Sequence, residues 1–160
     1  MEYQISFILN GIQVAALVKP TETLLDLLRE KLGVLSVKRG CNTGDCGACT
    51  VIMDGEPVRS CITIALTVAG KRVETVEGLN VEGQLHSLQT AFHDHYAAQC
   101  GFCTPGMIMA SKALLDRNPA PTKEEIVVAI SGNLCRCGGY REIVEAVEAV
   151  VAENQRKVKP

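Results

Sequence analysis

Gly40-Cys41-Asn42-Thr43-Gly44-Asp45-Cys46-Gly47-Ala48-Cys49-Thr50 places three cysteines and three glycines within eleven residues. Neither helix nor strand suits that density of glycine, so the stretch reads as a loop. Thiolates that converge from one short segment need sharp backbone turns, with N–H groups aimed at sulfur. Gly40, Gly44 and Gly47 permit both.

Cys61 completes a first set that reads C-x4-C-x2-C-x11-C. A C-x4-C-x2-C run followed by a distant cysteine is the plant-type ferredoxin spacing for a [2Fe–2S] cluster. The chain has eight cysteines, and the other four, Cys100, Cys103, Cys135 and Cys137, read C-x2-C-x31-C-x1-C. Both halves of this second set fall where a helix is expected to begin. Helix N-termini offer free N–H groups and partial positive charge to an anionic cluster. The second spacing is less specific, because C-x2-C also serves zinc.

Three fates compete for these sulfurs. Met1-Glu2-Tyr3-Gln4 lacks the basic start and apolar core of an export signal. A reducing cytoplasmic location is therefore expected, and disulfides are disfavoured there. Structural zinc sites usually gather their ligands as close pairs, unlike the x4 spacing and glycine-rich loop of the first set. Two four-thiolate iron–sulfur sites, giving a one-electron relay, are the expectation. Lys38, Arg39 and Arg136 lie beside the cysteine loops and could favour a reduced cluster or simply be exposed charges. A zinc-stabilised interaction module and a free-standing two-cluster ferredoxin are the alternatives.

Sixteen basic and eighteen acidic residues leave a net charge of −2 with no basic stripe, which argues against nucleic acid as a partner. The longest apolar stretch, around 62–69, is too short to span a bilayer. No Ser–His–Asp set, phosphate loop or paired carboxylate site stands out, so no catalytic residue is assigned. His86, His93 and His95 read as surface residues, Met107 and Met109 as packing or interface residues.

The 160 residues divide by texture. Residues 3–18 alternate around Asn10-Gly11 as a hairpin. Residues 23–32 carry leucines at helical spacing, stopped by Gly33. Asp54-Gly55 turns a second hairpin between 51–53 and 57–59, and 72–76 reads as a last strand. Residues 1–79 thus form a small α+β domain. Residues 80–160 read as helical, with helices over 85–98, 105–117, 124–130 and 140–155. Thr122 and Glu125 make a capping box, and 156–160 form a frayed tail. Halves of about 80 residues have thin cores, so metal sites would help to stabilise them.

The cysteine loop, together with Gln99-Cys100-Gly101-Phe102-Cys103-Thr104-Pro105-Gly106-Met107 and Gly132-Asn133-Leu134-Cys135-Arg136-Cys137, resembles the iron–sulfur subunit of the molybdenum hydroxylases. That family includes xanthine dehydrogenase, aldehyde oxidoreductase and 4-hydroxybenzoyl-CoA reductase, and the likeness extends to about residue 152. It implies an N-terminal β-grasp, ferredoxin-like domain and a C-terminal four-helix bundle, each with a [2Fe–2S] cluster. Cys41, Cys46, Cys49 and Cys61 would hold the outer cluster, near an FAD-binding medium subunit. Cys100, Cys103, Cys135 and Cys137 would hold the inner one, with Gln99 and Cys137 against the molybdopterin of a large subunit. The resemblance implies a hetero-oligomer, such as a dimer of heterotrimers. One departure is Gly138, where many members have threonine.

Overall fold

The Asn10-Gly11 dipeptide adopts φ of 51° and 81°, which matches the twist of a two-residue hairpin turn. It joins β1 (Tyr3–Leu9) to β2 (Ile12–Val18) in a register running from Tyr3 opposite Val18 to Leu9 opposite Ile12. The computed structural model from which this geometry is read describes residues 1–80 and 82–158. Asp54-Gly55 repeats the device with φ of 50° and 88°, between β3 (Thr50–Met53) and β4 (Glu56–Arg59). The sheet closes with β5 (Arg72–Glu74), parallel to β1 and antiparallel to β3, in the order β2-β1-β5-β3-β4.

β5 ends two residues earlier than its apolar pattern suggests. The Asn10 side chain takes over there, accepting from Thr75 N at 2.8 Å and donating to Thr75 Oγ1 at 2.9 Å. The chain then coils into a 3-10 turn over Val76–Leu79. The helix expected over 23–32 also departs from regularity. Thr23 and Asp26 cap each other's backbone at the start of α1 (Leu24–Asp26), which widens at once into π-type turns over Leu27–Lys31. The widening continues into the reversal at Gly33, where Val34 N reaches back to Leu28 O at 2.8 Å. Leu24, Leu25, Leu27 and Leu28 are all fully buried against one face of the sheet.

The remaining elements are helices: α2 (Ser87–Asp94), α3 (Thr104–Arg117), α4 (Lys123–Ile130) and α5 (Tyr140–Val158). Helix α2 is shorter than the 85–98 expected. His86 caps its start, its Nδ1 accepting from Leu88 N at 3.2 Å while Gln89 accepts from His86 N at 2.9 Å. Tyr96, in the left-handed region at φ 54°, lies beyond its end. Leu85 and Tyr96, which complete the apolar stripe on paper, are thus exposed. His86 is correspondingly half-buried, and desolvation lowers its pKa. The Thr122–Glu125 capping box forms as expected.

Helix α5 runs further than the sequence pattern suggests, so a tail frayed from Arg156 is corrected. Arg156 Nε donates to Ala152 O at 3.2 Å, and Lys157 pairs with Glu153 at 2.7 Å. Lys159 and Pro160 lie outside the described residues.

Successive side chains on β3 point to opposite faces. Val51 enters the core under α1, while the buried Ile52 joins the helical core with Met107, Ile143 and Val147. Helices therefore cover this sheet on both faces, and the two halves share a hydrophobic seam. Replacing Ile52→Ala should cost about 3 kcal/mol by opening a cavity in that seam. Scanning calorimetry should show the apparent melting midpoint falling by roughly 5–10 °C for the whole chain. A fall confined to part of the unfolding endotherm would show that the halves melt independently.

Candidate metal centres

Register places the first four thiols. Thr50 and Arg59 face each other at the ends of β3 and β4, so Cys49, just outside the ladder, falls opposite Ser60 and beside Cys61. Ser60 fastens the junction, its N and Oγ both donating to Cys49 O, at 3.3 and 2.8 Å. Cys49 and Cys61 are buried, and burial together with the neighbouring Cys49 thiol pushes Cys61 up to about 11. Cys41 and Cys46 are half-exposed on the rim. The Thr43 hydroxyl and the N–H groups of Cys46 and Thr43 bring Cys41 down to about 6. Both N–H groups stand 3.4 Å from its sulfur. Such donors favour the thiolate, the form that ligates metal.

Gly47 sits at φ 71°, and a Cβ there would lie 2.5 Å from Gly132 O and 2.7 Å from Asn133 Cγ. Only glycine fits the turn and the close approach together. Beside it, a Cβ on Gly40 would stand 2.6 Å from Cys46 Sγ.

The second four thiols come from two loops. Cys100 and Cys103 precede α3, with Cys103 at its N-cap position, and Cys135 and Cys137 lie between α4 and α5. Burial and the adjacent Cys135 thiol push the buried Cys103 up to about 12. Burial pushes Cys135 upward too, but the Gly139 N–H, the Cys103 thiol and the Cys137 and Gly138 N–H groups hold it below its ordinary value. Cys100 is lowered by the Phe102 N–H and then by the Cys137 side chain. Cys135 N donates to Tyr140 Oη at 2.7 Å. Cys100 and Cys137 are exposed, as is Gln99, whose Nε2 would lie 3.8 Å from a Cβ on Gly139.

The sulfurs thus fall into two groups of four, each made of neighbouring pairs. Cys41 neighbours Cys46, Cys49 neighbours Cys61, Cys103 neighbours Cys135, and Cys100 neighbours Cys137. Among the described residues, no three histidine, cysteine, aspartate or glutamate side chains converge closely enough to hold one ion. A mononuclear zinc site needs four ligands around one point. Paired thiols with N–H donors at the sulfurs suit a dinuclear cluster, which takes two ligands on each iron.

The two groups are joined through the chain. Leu134 N donates to Cys46 O at 2.8 Å, linking the residue beside Cys135 to a member of the first group. Asn133 Nδ2 donates to Gly47 O at 2.9 Å, and Arg59 Nη2 donates to Gly132 O at 2.6 Å. A hollow of about 370 Å³ is lined by Cys46 of the first group and by Cys100, Cys103 and Cys135 of the second.

Other candidates are placed less centrally. Arg39 is paired with Asp26 at 2.7 Å and Glu30 at 3.5 Å, so its charge is already met. Lys38 Nζ caps Leu35 O at 2.8 Å. Arg136 is exposed at the hollow, His93 is on the surface, and Met107 and Met109 are core residues. Gly138 occupies φ 80° with open space around it, so a threonine here would meet backbone strain before any neighbour. Sequence reasoning missed the joining residues Arg59 and Asn133. Each stands two positions before a cysteine, and Asn133 lies within the Gly132–Cys137 motif, but neither signal points to a joining role.

Residues 7–75 match the family described as 2Fe-2S iron-sulfur cluster binding domain, and residues 75–148 match the [2Fe-2S] binding domain. The nicotinate dehydrogenase small FeS subunit of Eubacterium barkeri is 52% identical, covering 89% of this chain and 91% of its own. The nicotine 6-hydroxylase small subunit of Paenarthrobacter nicotinovorans is also 52% identical, over 86% of this chain and 83% of its own. Quinoline 2-oxidoreductase from Pseudomonas putida 86 contains a chain of the same fold, with a TM-score of 0.92 and 44% identity over 99% of both chains. Two cluster-binding domains and relatives that are small subunits of dehydrogenases make this an electron-transfer subunit within an oxidoreductase of several subunits. The chain belongs to the molybdenum hydroxylase family, as its small iron–sulfur subunit.

Proposed function

We propose that Cys41, Cys46, Cys49 and Cys61 hold an outer [2Fe–2S] cluster, and Cys100, Cys103, Cys135 and Cys137 an inner one. The observation that carries this is the pairing of the eight thiols, two pairs in each half, with backbone N–H groups at Cys41, Cys100 and Cys135. The clusters supply one-electron carriers whose potentials the chain adjusts through burial and hydrogen bonds to sulfur. Cys49, Cys61 and Cys103 keep one side of each site dry. Exposed Cys100 and Cys137 leave an edge open to a partner.

Four helices, α2 to α5, form the proposed bundle around the inner site, with a domain division near Leu79. Gln99 and Cys137 share that open edge, where the molybdopterin of a large subunit would dock. The half-exposed Cys41 and Cys46 would face an FAD-binding medium subunit. A dimer of such heterotrimers is the proposed assembly. No helix among the described residues is long and apolar enough to cross a membrane. A cytoplasmic location fits eight cysteines used as cluster ligands rather than disulfides, since a reducing compartment disfavours disulfides.

Purified protein should be red-brown, with iron and acid-labile sulfide in equal amounts and two distinct EPR signals on reduction. Stoichiometric zinc in a colourless protein would end the proposal. Replacing Cys46→Ser should remove the outer signal and leave the inner one, and Cys100→Ser should do the converse. Loss of both signals from either change, in protein that stays folded by circular dichroism, would contradict two independent sites.

A further inference from the structure

We propose that Asn133 and Arg59 are positioning residues for electron transfer between the two sites, because they fix the register in which the outer and inner ligand loops meet. The inference rests on the assignment of the eight cysteines to two clusters. Three consecutive residues ahead of Cys135 each bind a different part of the outer domain. Gly132 O accepts from Arg59 Nη2 at 2.6 Å, Asn133 Nδ2 donates to Gly47 O at 2.9 Å, and Leu134 N donates to Cys46 O at 2.8 Å. Thr50 ties the first two contacts together, since its Oγ1 accepts from Arg59 Nη1 at 2.9 Å and from Asn133 Nδ2 at 3.3 Å.

The third of these bonds matters for electrons. Between Cys46 Sγ and Cys135 Sγ, the backbone route is covalent throughout except for Leu134 N–H···O=C Cys46. Electronic coupling decays exponentially with the gap to be tunnelled, and a short hydrogen bond carries it far better than a through-space jump. The step passes a single electron, so one site is oxidised by one electron and the other reduced by one. No bond in the chain is made or broken, and the geometry serves either direction.

Leu134 is exposed and contributes only its backbone, so it cannot hold the bond in place by packing. The neighbouring clamp does so. Asn133 is 2% exposed, and a Cβ on Gly106 would collide with the Gly47 carbonyl that Asn133 binds. The clamp also carries a stability penalty. Among the described residues, Asn133 Oδ1 and Arg59 Nε have no hydrogen-bond partner although buried. A buried polar group without a partner is destabilising, so apolar side chains would hold the seam more stably. Directional bonds to two particular carbonyls do what apolar packing cannot, which is to set a register.

The test uses the assembled complex with Asn133→Ala, Arg59→Met and Arg59→Lys. The spin–spin splitting between the two reduced clusters depends on their separation and orientation, and pulse-initiated reduction gives the rate of transfer between them. Asn133→Ala and Arg59→Met should weaken the splitting and slow the transfer by about tenfold. Iron content, each cluster's potential and its own g-values should stay as in the wild type. Arg59→Lys, which can still reach Gly132 O, should recover most of the rate. Fully loaded variants with wild-type splitting and rate would overturn the inference and leave the clamp a matter of stability alone. If Asn133→Ala loads poorly, Arg59→Met, at a half-buried position, decides the outcome. Absence of two signals in the wild type would be a different failure, that of the cluster assignment beneath.

Discussion

The carbonyl of Gly47 is where the two halves of this molecule are tied. It accepts from Thr50 N at 3.0 Å, Thr50 Oγ1 at 2.6 Å and Asn133 Nδ2 at 2.9 Å. The first two bonds end the cysteine loop and start β3. The third brings in the loop that carries Cys135 and Cys137. One acceptor thus terminates a turn, opens a strand and recruits the second domain. A side chain at position 47 or 106 would break this arrangement, because no room exists for a Cβ at either place. The spacing between the two groups of sulfurs follows from that contact and from the two on either side of it.

The thiols show how such a fold reconciles opposed demands. A ligating sulfur must carry negative charge, and burial penalises charge. Within each half, the buried Cys61 and Cys103 are pushed up by desolvation, while Cys41 is held down by the Thr43 hydroxyl and then backbone N–H groups. Cys135 is held down, against its own burial, by the Gly139 N–H, the Cys103 thiol and two further N–H groups. Such donors are scarce in strands, whose N–H groups are consumed by the ladder, and in helix interiors. Loops and helix starts have them to spare. All eight cysteines accordingly lie outside the named strands and α-helices.

How much of this could be read in the chain depends on whether the cause was local. Both hairpin turns were legible because Asn10-Gly11 and Asp54-Gly55 encode their own backbone angles. The capping box at Thr122 was legible for the same reason. The overlong estimate of α2 shows the limit of periodicity, since Leu85 and Tyr96 continue a stripe that a histidine cap and a left-handed residue interrupt. The early end of β5 depends on Asn10, sixty-five positions away. Ile52 gave no hint that it serves the other half's core, because a short apolar run looks alike whether one face or both are covered. Arg59 and Asn133 were missed for the deepest reason. Their partners are carbonyls, and a carbonyl belongs to every residue.

A relay protein must also keep its carriers apart from water while letting partners come close. Here the division runs within each group. Cys49, Cys61 and Cys103 are buried, whereas Cys100 and Cys137 are exposed and Cys41 and Cys46 half-exposed. The exposed pair of the second group lies just before α3 and in the α4–α5 loop, while the first group opens at the rim of its own loop. The buried seam between the halves contains Ile52, Thr50 and Asn133, and beside it the hollow shared by Cys46, Cys100, Cys103 and Cys135 opens past exposed Phe102, Leu134 and Arg136. Insulation is therefore set residue by residue, by the burial of Cys49, Cys61 and Cys103, and the space between the groups is not closed to solvent. The same seam that gives two thin cores a common interior also carries the bonds that hold the two cysteine loops together.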